Sequence, residues 1–152
     1  MSFCHLHVHS QYSILDSSLS IAAIAKAAKA FAMKAVALTD HGNLFGAIDF
    51  YKAMKEAGIR PIIGCECTLA EGSRFDKKKT SANTHIVLLA KSNVGYKNLC
   101  RLSSKAYTEG FYYVPRIDKE LLTTYAEGLI CLSGCNEGPL AGPILREQKK
   151  EL

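Results

Sequence analysis

His5-Leu6-His7-Val8-His9-Ser10-Gln11-Tyr12-Ser13-Ile14-Leu15-Asp16 sets three histidines at every second position, with apolar Leu6 and Val8 between them. In an extended strand successive side chains alternate faces, so His5, His7 and His9 share one face and Cys4, Leu6 and Val8 the other. A row of imidazoles beside the Asp16 carboxylate gathers the nitrogen and oxygen donors that a divalent metal takes. The alternative is three hydrogen-bonded core histidines. Alternating imidazoles fill a core poorly, however, and the whole chain has only five histidines.

Outward from this stretch the pattern alternates between helix and strand. Residues 19–32 open on serines and carry an Ile24, Ala27, Ala28, Phe31 stripe at helical spacing. Ala35-Val36-Ala37-Leu38-Thr39 reads as a continuously buried strand of a parallel sheet. Asp40-His41-Gly42-Asn43 is a turn, and Asn43 caps a second helix. Ala47, Phe50, Tyr51 and Met54 form its apolar face, and Gly58 ends it. Residues 61–69 and 85–90 read as strands, and the polar stretch 70–84 between them as a long exposed loop. Asn93 caps a helix to about Ala106 with Tyr96, Leu99 and Leu102 inward. A looped stretch, 108–117, carries Phe111-Tyr112-Tyr113 and Pro115; those rings suit either base stacking or core packing. Asp118 caps a short helix, 128–133 is a fifth strand, and a last helix begins near Pro139. Five recurrences of a β-α unit predict an α/β fold with a parallel sheet or barrel.

A length of 152 residues fits one domain with a real core. No apolar run approaches the roughly 20 residues that span a bilayer, and no signal peptide is evident, so a cytoplasmic protein is the default. The net charge of +5 draws on Lys77-Lys78-Lys79 and on Arg146, Lys149 and Lys150. Such runs either touch phosphates or lie solvated in loops. None of the six cysteines forms a C-x-x-C pair, which favours reduced thiols over a disulfide framework or zinc ribbon.

In parallel α/β architectures the loops after the strands' carboxyl ends collect on one side. His7, His9, Asp16, Asp40, His41, Glu66 and Cys135 all fall there, whereas His85 opens its strand, so that either the strand begins earlier or His85 lies away from the others. Strand alternation turns Cys65 and Cys67 away from Glu66, toward the helices. Spacing alone leaves open whether the Cys135 thiolate joins a metal shell. These donors exceed what one tetrahedral zinc needs, which points to two or three metals in one cavity. Such clusters suit phosphoester hydrolysis. Neither a P-loop nor a nucleophile elbow appears. The residues therefore predict a metal-dependent hydrolase of phosphate esters and leave its substrate open.

His5-Leu6-His7-Val8-His9-Ser10, Leu38-Thr39-Asp40-His41-Gly42, Gly64-Cys65-Glu66 and His85-Ile86-Val87-Leu88-Leu89-Ala90 resemble successive motifs of the PHP (polymerase and histidinol phosphatase) superfamily. Further segments are similar to the N-terminal PHP domains of the family of bacterial DNA polymerase III alpha subunits. They are Gln11-Tyr12-Ser13-Ile14-Leu15-Asp16, Asn43-Leu44-Phe45-Gly46-Ala47, Gly58-Ile59-Arg60-Pro61-Ile62-Ile63-Gly64, Gly95-Tyr96-Lys97-Asn98-Leu99 and Ser133-Gly134-Cys135. The resemblance spans nearly the whole chain.

That resemblance implies a distorted TIM-like barrel of seven β/α units, with metals at the strands' C-terminal ends. It implies His7, His9, Asp16, His41, Glu66, His85 and Cys135 as metal ligands, with His5 and Asp40 behind them orienting imidazoles. Two or three divalent metals (zinc, manganese or iron) are expected, and magnesium for the parent polymerase. Retained ligands favour a 3′–5′ exonuclease that proofreads DNA. The alternative is a non-catalytic scaffold docking a separate proofreading subunit; a free small-molecule phosphatase is a weaker third reading. The family's last Asp and His pair lies beyond Leu152, so residues 1–152 are expected to be a fragment truncated after about five β/α units and inactive alone. DNA, a proofreading subunit and a sliding clamp are the implied partners of the parent chain, and no membrane is.

Overall fold

The computed structural model describes residues 3–77 and 83–145. In chain order the elements are α1 (Ile21–Ala30), β1 (Ala35–Leu38), α2 (Ala47–Glu56), β2 (Arg60–Leu69), β3 (Thr84–Ala90), α3 (Asn93–Thr108), β4 (Arg116–Ile117), α4 (Lys119–Thr124) and β5 (Leu129–Leu132), then a 3-10 turn at Cys135–Glu137 and α5 (Ala141–Leu145).

The long strand β2 organises the sheet. Along one edge it pairs in parallel first with β1, from Ala35 opposite Arg60 to Leu38 opposite Ile63. The same register continues to His41 opposite Glu66, and β4 then takes Thr68 and Leu69. Along its other edge β2 pairs antiparallel with β3, which pairs antiparallel with β5. The α/β class stands, but the sheet is mixed where the strand pattern predicts a parallel one. A parallel neighbour needs a crossover, usually helical. The polar connection after β2 contributes no helix among the described residues, so β3 returns in the opposite direction.

Two cores lie side by side on the helix-covered face of the sheet, and a smaller cluster of Ala37, Val87 and Leu89 lies on the face that carries Glu66. Ile21, Ile24 and Ala28 of α1 meet Phe50 and Met54 of α2 over Val36 and Leu38. Leu99, Leu102 and Ala106 of α3 and Leu121 of α4 cover Cys65, Cys67, Ile86 and Leu88. Both cysteines thus pack toward the helices as small hydrophobes, as alternation about Glu66 requires. Phe31 lies past the end of α1 and is 73% exposed, and Ala27 is exposed too, so of the predicted stripe only Ile24 and Ala28 are buried. Tyr51 likewise faces outward from α2.

Several boundaries shift for reasons visible in the hydrogen bonds. Asn43 does not cap α2, which begins after Gly46. Its side-chain oxygen accepts the Phe45 N–H and its amide donates to the Tyr12 and His41 carbonyls, closing the turn instead. Ser92, not Asn93, caps α3 by accepting the Gly95 N–H. Asp118 caps α4 as predicted, accepting the Leu121 N–H at 2.9 Å. The stretch after β2 is not wholly exposed, because Arg74 is buried there. Its guanidinium binds both oxygens of Asp118 at 3.0 Å and Glu109 at 2.8 Å. Lys78 and Lys79 of the lysine run, and Arg146, Lys149 and Lys150, lie outside the described residues.

Candidate metal centre

The opening histidines do not sit on a regular strand. The His5 carbonyl accepts the Ala37 N–H, and the Val8 carbonyl accepts the Thr39 N–H. Three residues of this segment therefore advance against two of β1, the signature of a bulge. The Thr39 hydroxyl accepts the Val8 N–H at 2.9 Å, where a ladder would use a carbonyl. The extra residue breaks the alternation. His5 leaves the row and packs edge-on against Phe3, with ring centroids 4.7 Å apart, and Leu6 is exposed. His7 and His9 remain together, their rings 5.1 Å apart.

Both point at Glu66. His7 Nε2 lies 2.5 Å and His9 Nε2 2.7 Å from the same oxygen, Oε2. His85 Nδ1 lies 3.1 Å from Oε1, and His41 Nδ1 lies 4.0 Å from it. Asp16 stands 3.6 Å from His41 Nδ1. The sequence pattern leaves the place of His85 open because it opens its strand. The antiparallel turn of β3 removes that difficulty, since its first residues lie beside the carboxyl end of β2.

Asp40 does not orient an imidazole. It is buried and accepts the Ser10 N–H and the Ser13 hydroxyl at 2.7 Å and the Ser10 hydroxyl at 2.8 Å. The Ser13 hydroxyl oxygen in turn accepts the His41 N–H. Asp40 therefore fixes the turn that carries His9 into Asp16. His5 reaches none of these donors.

Cys135 is exposed, at the start of the 3-10 turn, and joins neither group of converging donors. Its neighbour Glu137, which the sequence reading passed over, places Oε2 3.0 Å from His85 Nδ1. Gly134 makes this approach possible: at φ +75°, a Cβ there would lie 1.8 Å from the His85 carbonyl oxygen. A glycine on each side of Cys135-Asn136-Glu137 is the one sequence sign that this turn comes close to another backbone.

Burial alone would raise the Glu66 carboxyl; the contacts from His85, His9 and His7 outweigh it and hold the group well below the usual carboxylate range. His9 and His85 are drawn upward by Glu66 against their burial. Burial pushes His41 downward, outweighing the pull of Glu66.

The donors fall into two groups, His7, His9 and Glu66, and His41, Glu66 and His85, each with its atoms within 4.8 Å of one another. Imidazole and carboxylate donors suit zinc, manganese or iron. His85 Nδ1 strengthens the fit. Among the described residues it is the one buried side-chain nitrogen or oxygen without a hydrogen-bond partner, although two carboxylate oxygens flank it. A cation satisfies such an atom where a hydrogen bond does not. A cavity of about 300 Å³, lined by His7, His9, Asp16 and Ser17, opens onto the group. A larger cleft of about 440 Å³ lies at the other end of the sheet, between Tyr51, Pro61 and Tyr96, away from every one of these donors.

The chain matches the PHP domain family over residues 5–152. It is 56% identical over 149 residues to DNA polymerase III subunit alpha of Chlamydia pneumoniae, covering 96% of this chain and 12% of that protein. The same subunit of Treponema pallidum is 51% identical, with 99% of this chain and 13% of that protein covered. That of Aquifex aeolicus is 52% identical, with 97% and 14% covered. The chain thus spans only about an eighth of the length of these relatives. Among solved structures, an amidohydrolase from Chromobacterium violaceum aligns with a TM-score of 0.53 at 26% identity, covering 68% of this chain and 32% of that one. A putative metal-dependent phosphoesterase from Bifidobacterium adolescentis aligns at 0.52 with 17% identity, covering 69% and 33%, a likeness of fold.

Proposed function

The chain belongs to the PHP domain family, and from that premise we propose that it is the N-terminal PHP region of a DNA polymerase III alpha subunit, acting in DNA replication, whose histidine centre is a metal-dependent 3′–5′ exonuclease. The similarity to three bacterial alpha subunits supports the first part. One observation carries the second: Glu66 belongs to both donor groups. A carboxylate common to two sets of imidazoles suits two cations held close together. His7 and His9 would hold one, His41 and His85 the other, with Asp16 and Glu137 at the edges.

When bound, such cations neutralise phosphoryl oxygens and lower the pKa of water, the chemistry that phosphodiester hydrolysis needs. The chain's own contribution is placement. Asp40 holds the turn bearing His9 and Asp16, and Gly134 lets Glu137 approach His85. Cys135 is kept as a further ligand candidate on the strength of the family motif. In this reading the parent protein works in the cytoplasm on DNA, with magnesium at its polymerase site and with a proofreading subunit and sliding clamp as partners. No described helix is long and apolar enough to cross a membrane.

The test uses the intact subunit. Elemental analysis is expected to find about two or three equivalents of zinc, manganese or iron, lost in a His7→Ala, His9→Ala variant. The metal-loaded protein is expected to remove a 3′-mismatched nucleotide from DNA, and the double variant is not. A folded subunit that takes up no metal after reconstitution would sink the hydrolytic reading and leave the scaffold role.

A further inference from the structure

The aromatic run after α3 belongs neither to the core nor to the histidine centre. Tyr113 is 75% exposed, Phe111 48% and Tyr107 43%. Tyr107 and Phe111 stack, with centroids 6.2 Å apart and planes 19° from parallel. Tyr113 adopts φ +61°, a region that bulky residues rarely enter.

This loop is held from below rather than left loose. Arg116, 4% exposed, donates from Nε to the Gly110 carbonyl and from Nη2 to the carbonyls of Arg74 and Asp76. Its guanidinium also lies 5.3 Å from the Tyr112 ring centroid. Above it the Tyr112 N–H reaches the Val114 carbonyl, making a tight turn with Tyr113 at its tip. The fold therefore builds a braced support whose strained tip turns a ring toward solvent.

The support adjoins the histidine centre. A Cβ on Gly42 would lie 2.9 Å from Pro115 Cγ, and the Gly42 N–H bonds the Glu66 carbonyl. Only Val114 separates Tyr113 from Pro115, and two Cα steps limit that span to about 7 Å. A strand of a few nucleotides with its end at Glu66 covers the distance. Aromatic rings suit such a strand because every base offers a π face, whatever the sequence.

Resting on the exonuclease reading, we propose that Phe111 and Tyr113 form a stacking platform for the bases of a single DNA strand whose terminal phosphodiester lies in the histidine centre. The experiment compares the intact subunit with Tyr113→Asn, which tolerates positive φ without the ring, Phe111→Ala, and Tyr113→Phe, which keeps the ring. Each is assayed on a single-stranded oligonucleotide and on bis(p-nitrophenyl) phosphate, which carries no base. The ratio of the two KM values is expected to rise about tenfold for Tyr113→Asn and Phe111→Ala and to return in Tyr113→Phe. An unchanged ratio in every variant would overturn the platform and assign the patch to a protein surface. A subunit that hydrolyses neither substrate would instead count against the exonuclease reading. In that case photocrosslinking of an oligonucleotide bearing 5-iododeoxyuridine near its 3′ end decides: adducts at Tyr113 or Phe111 support the platform, and their absence refutes it.

Discussion

His85 reaches Glu66 on a diagonal. Its Cα pairs with Thr68 across β2 and β3, while Val87 stands directly opposite Glu66. Its Nδ1 nevertheless sits 3.1 Å from the Glu66 carboxylate. Diagonal neighbours on a sheet face come within reach of long side chains, and here the offset leaves room beside Glu66 for His7 and His9 from the other side.

Glu66→Gln keeps this shape and removes the charge common to both donor groups. Zinc affinity of the intact subunit is expected to fall at least about 100-fold, with little change in far-UV circular dichroism. Isothermal titration measures it, and unaltered affinity would place the cation elsewhere.

Asp40→Ala leaves the two hydroxyls and one backbone N–H that Asp40 accepts without their partner, at positions sealed from water. The expected loss is about 3 kcal/mol in urea unfolding. Metal affinity is expected to fall as well, because the turn that carries His9 loses its anchor.

Asp118 supplies a pH signature. Burial raises its pKa, but the Arg74 N–H, the Leu121 N–H and the Arg74 guanidinium together bring it below its ordinary value. A carboxylate depressed in the folded state stabilises fully above its unfolded pKa and loses that contribution as pH falls through the folded one. The stability gap between the parent protein and Asp118→Asn is thus expected to be constant above about pH 4 and to close on acidification. Denaturant melts at stepped pH read it; a gap that persists at the lowest pH would contradict the assignment.

Gly134→Ala forces a Cβ toward the His85 carbonyl at positive φ. We expect about 2 kcal/mol of destabilisation and a displaced Cys135–Glu137 turn. Restored stability on relocating the turn by a one-residue insertion after Ser133 would confirm that crowding, rather than lost chain flexibility, is the cause.

Much of the centre was legible because its residue types are rare and their spacing is local. His7, His9, Asp16, His41 and Glu66 converge as the strand ends predict. What stayed hidden depends on tertiary geometry. The direction of β3, which brings His85 in, goes with a connection after β2 that contributes no helix among the described residues. The place of His5 follows from one extra residue beside β1, which no periodicity reveals. Glu137 and Arg74 sit in polar stretches that read as solvent loops until their partners, far away in the chain, are known. Asp40 reads naturally as a partner for histidine, yet two serines compete for it and win.

His7 and His9 hang beside β1 from backbone bonds at Ala37 and Thr39 and from the Thr39 hydroxyl, with no ladder to continue them. A segment so lightly attached opens at a lower free energy than the sheet it leans on. A cation gripping His7, His9 and Glu66 would bind only the closed arrangement, and at a hundredfold excess over its Kd it would add about 2.7 kcal/mol to closure. The segment carrying His7 and His9 would then behave as a clasp that such a ligand fastens. Deuterium uptake at the Ala37 and Thr39 amides would time its opening, slowing as cation is added while the β2–β3 amides keep their own pace.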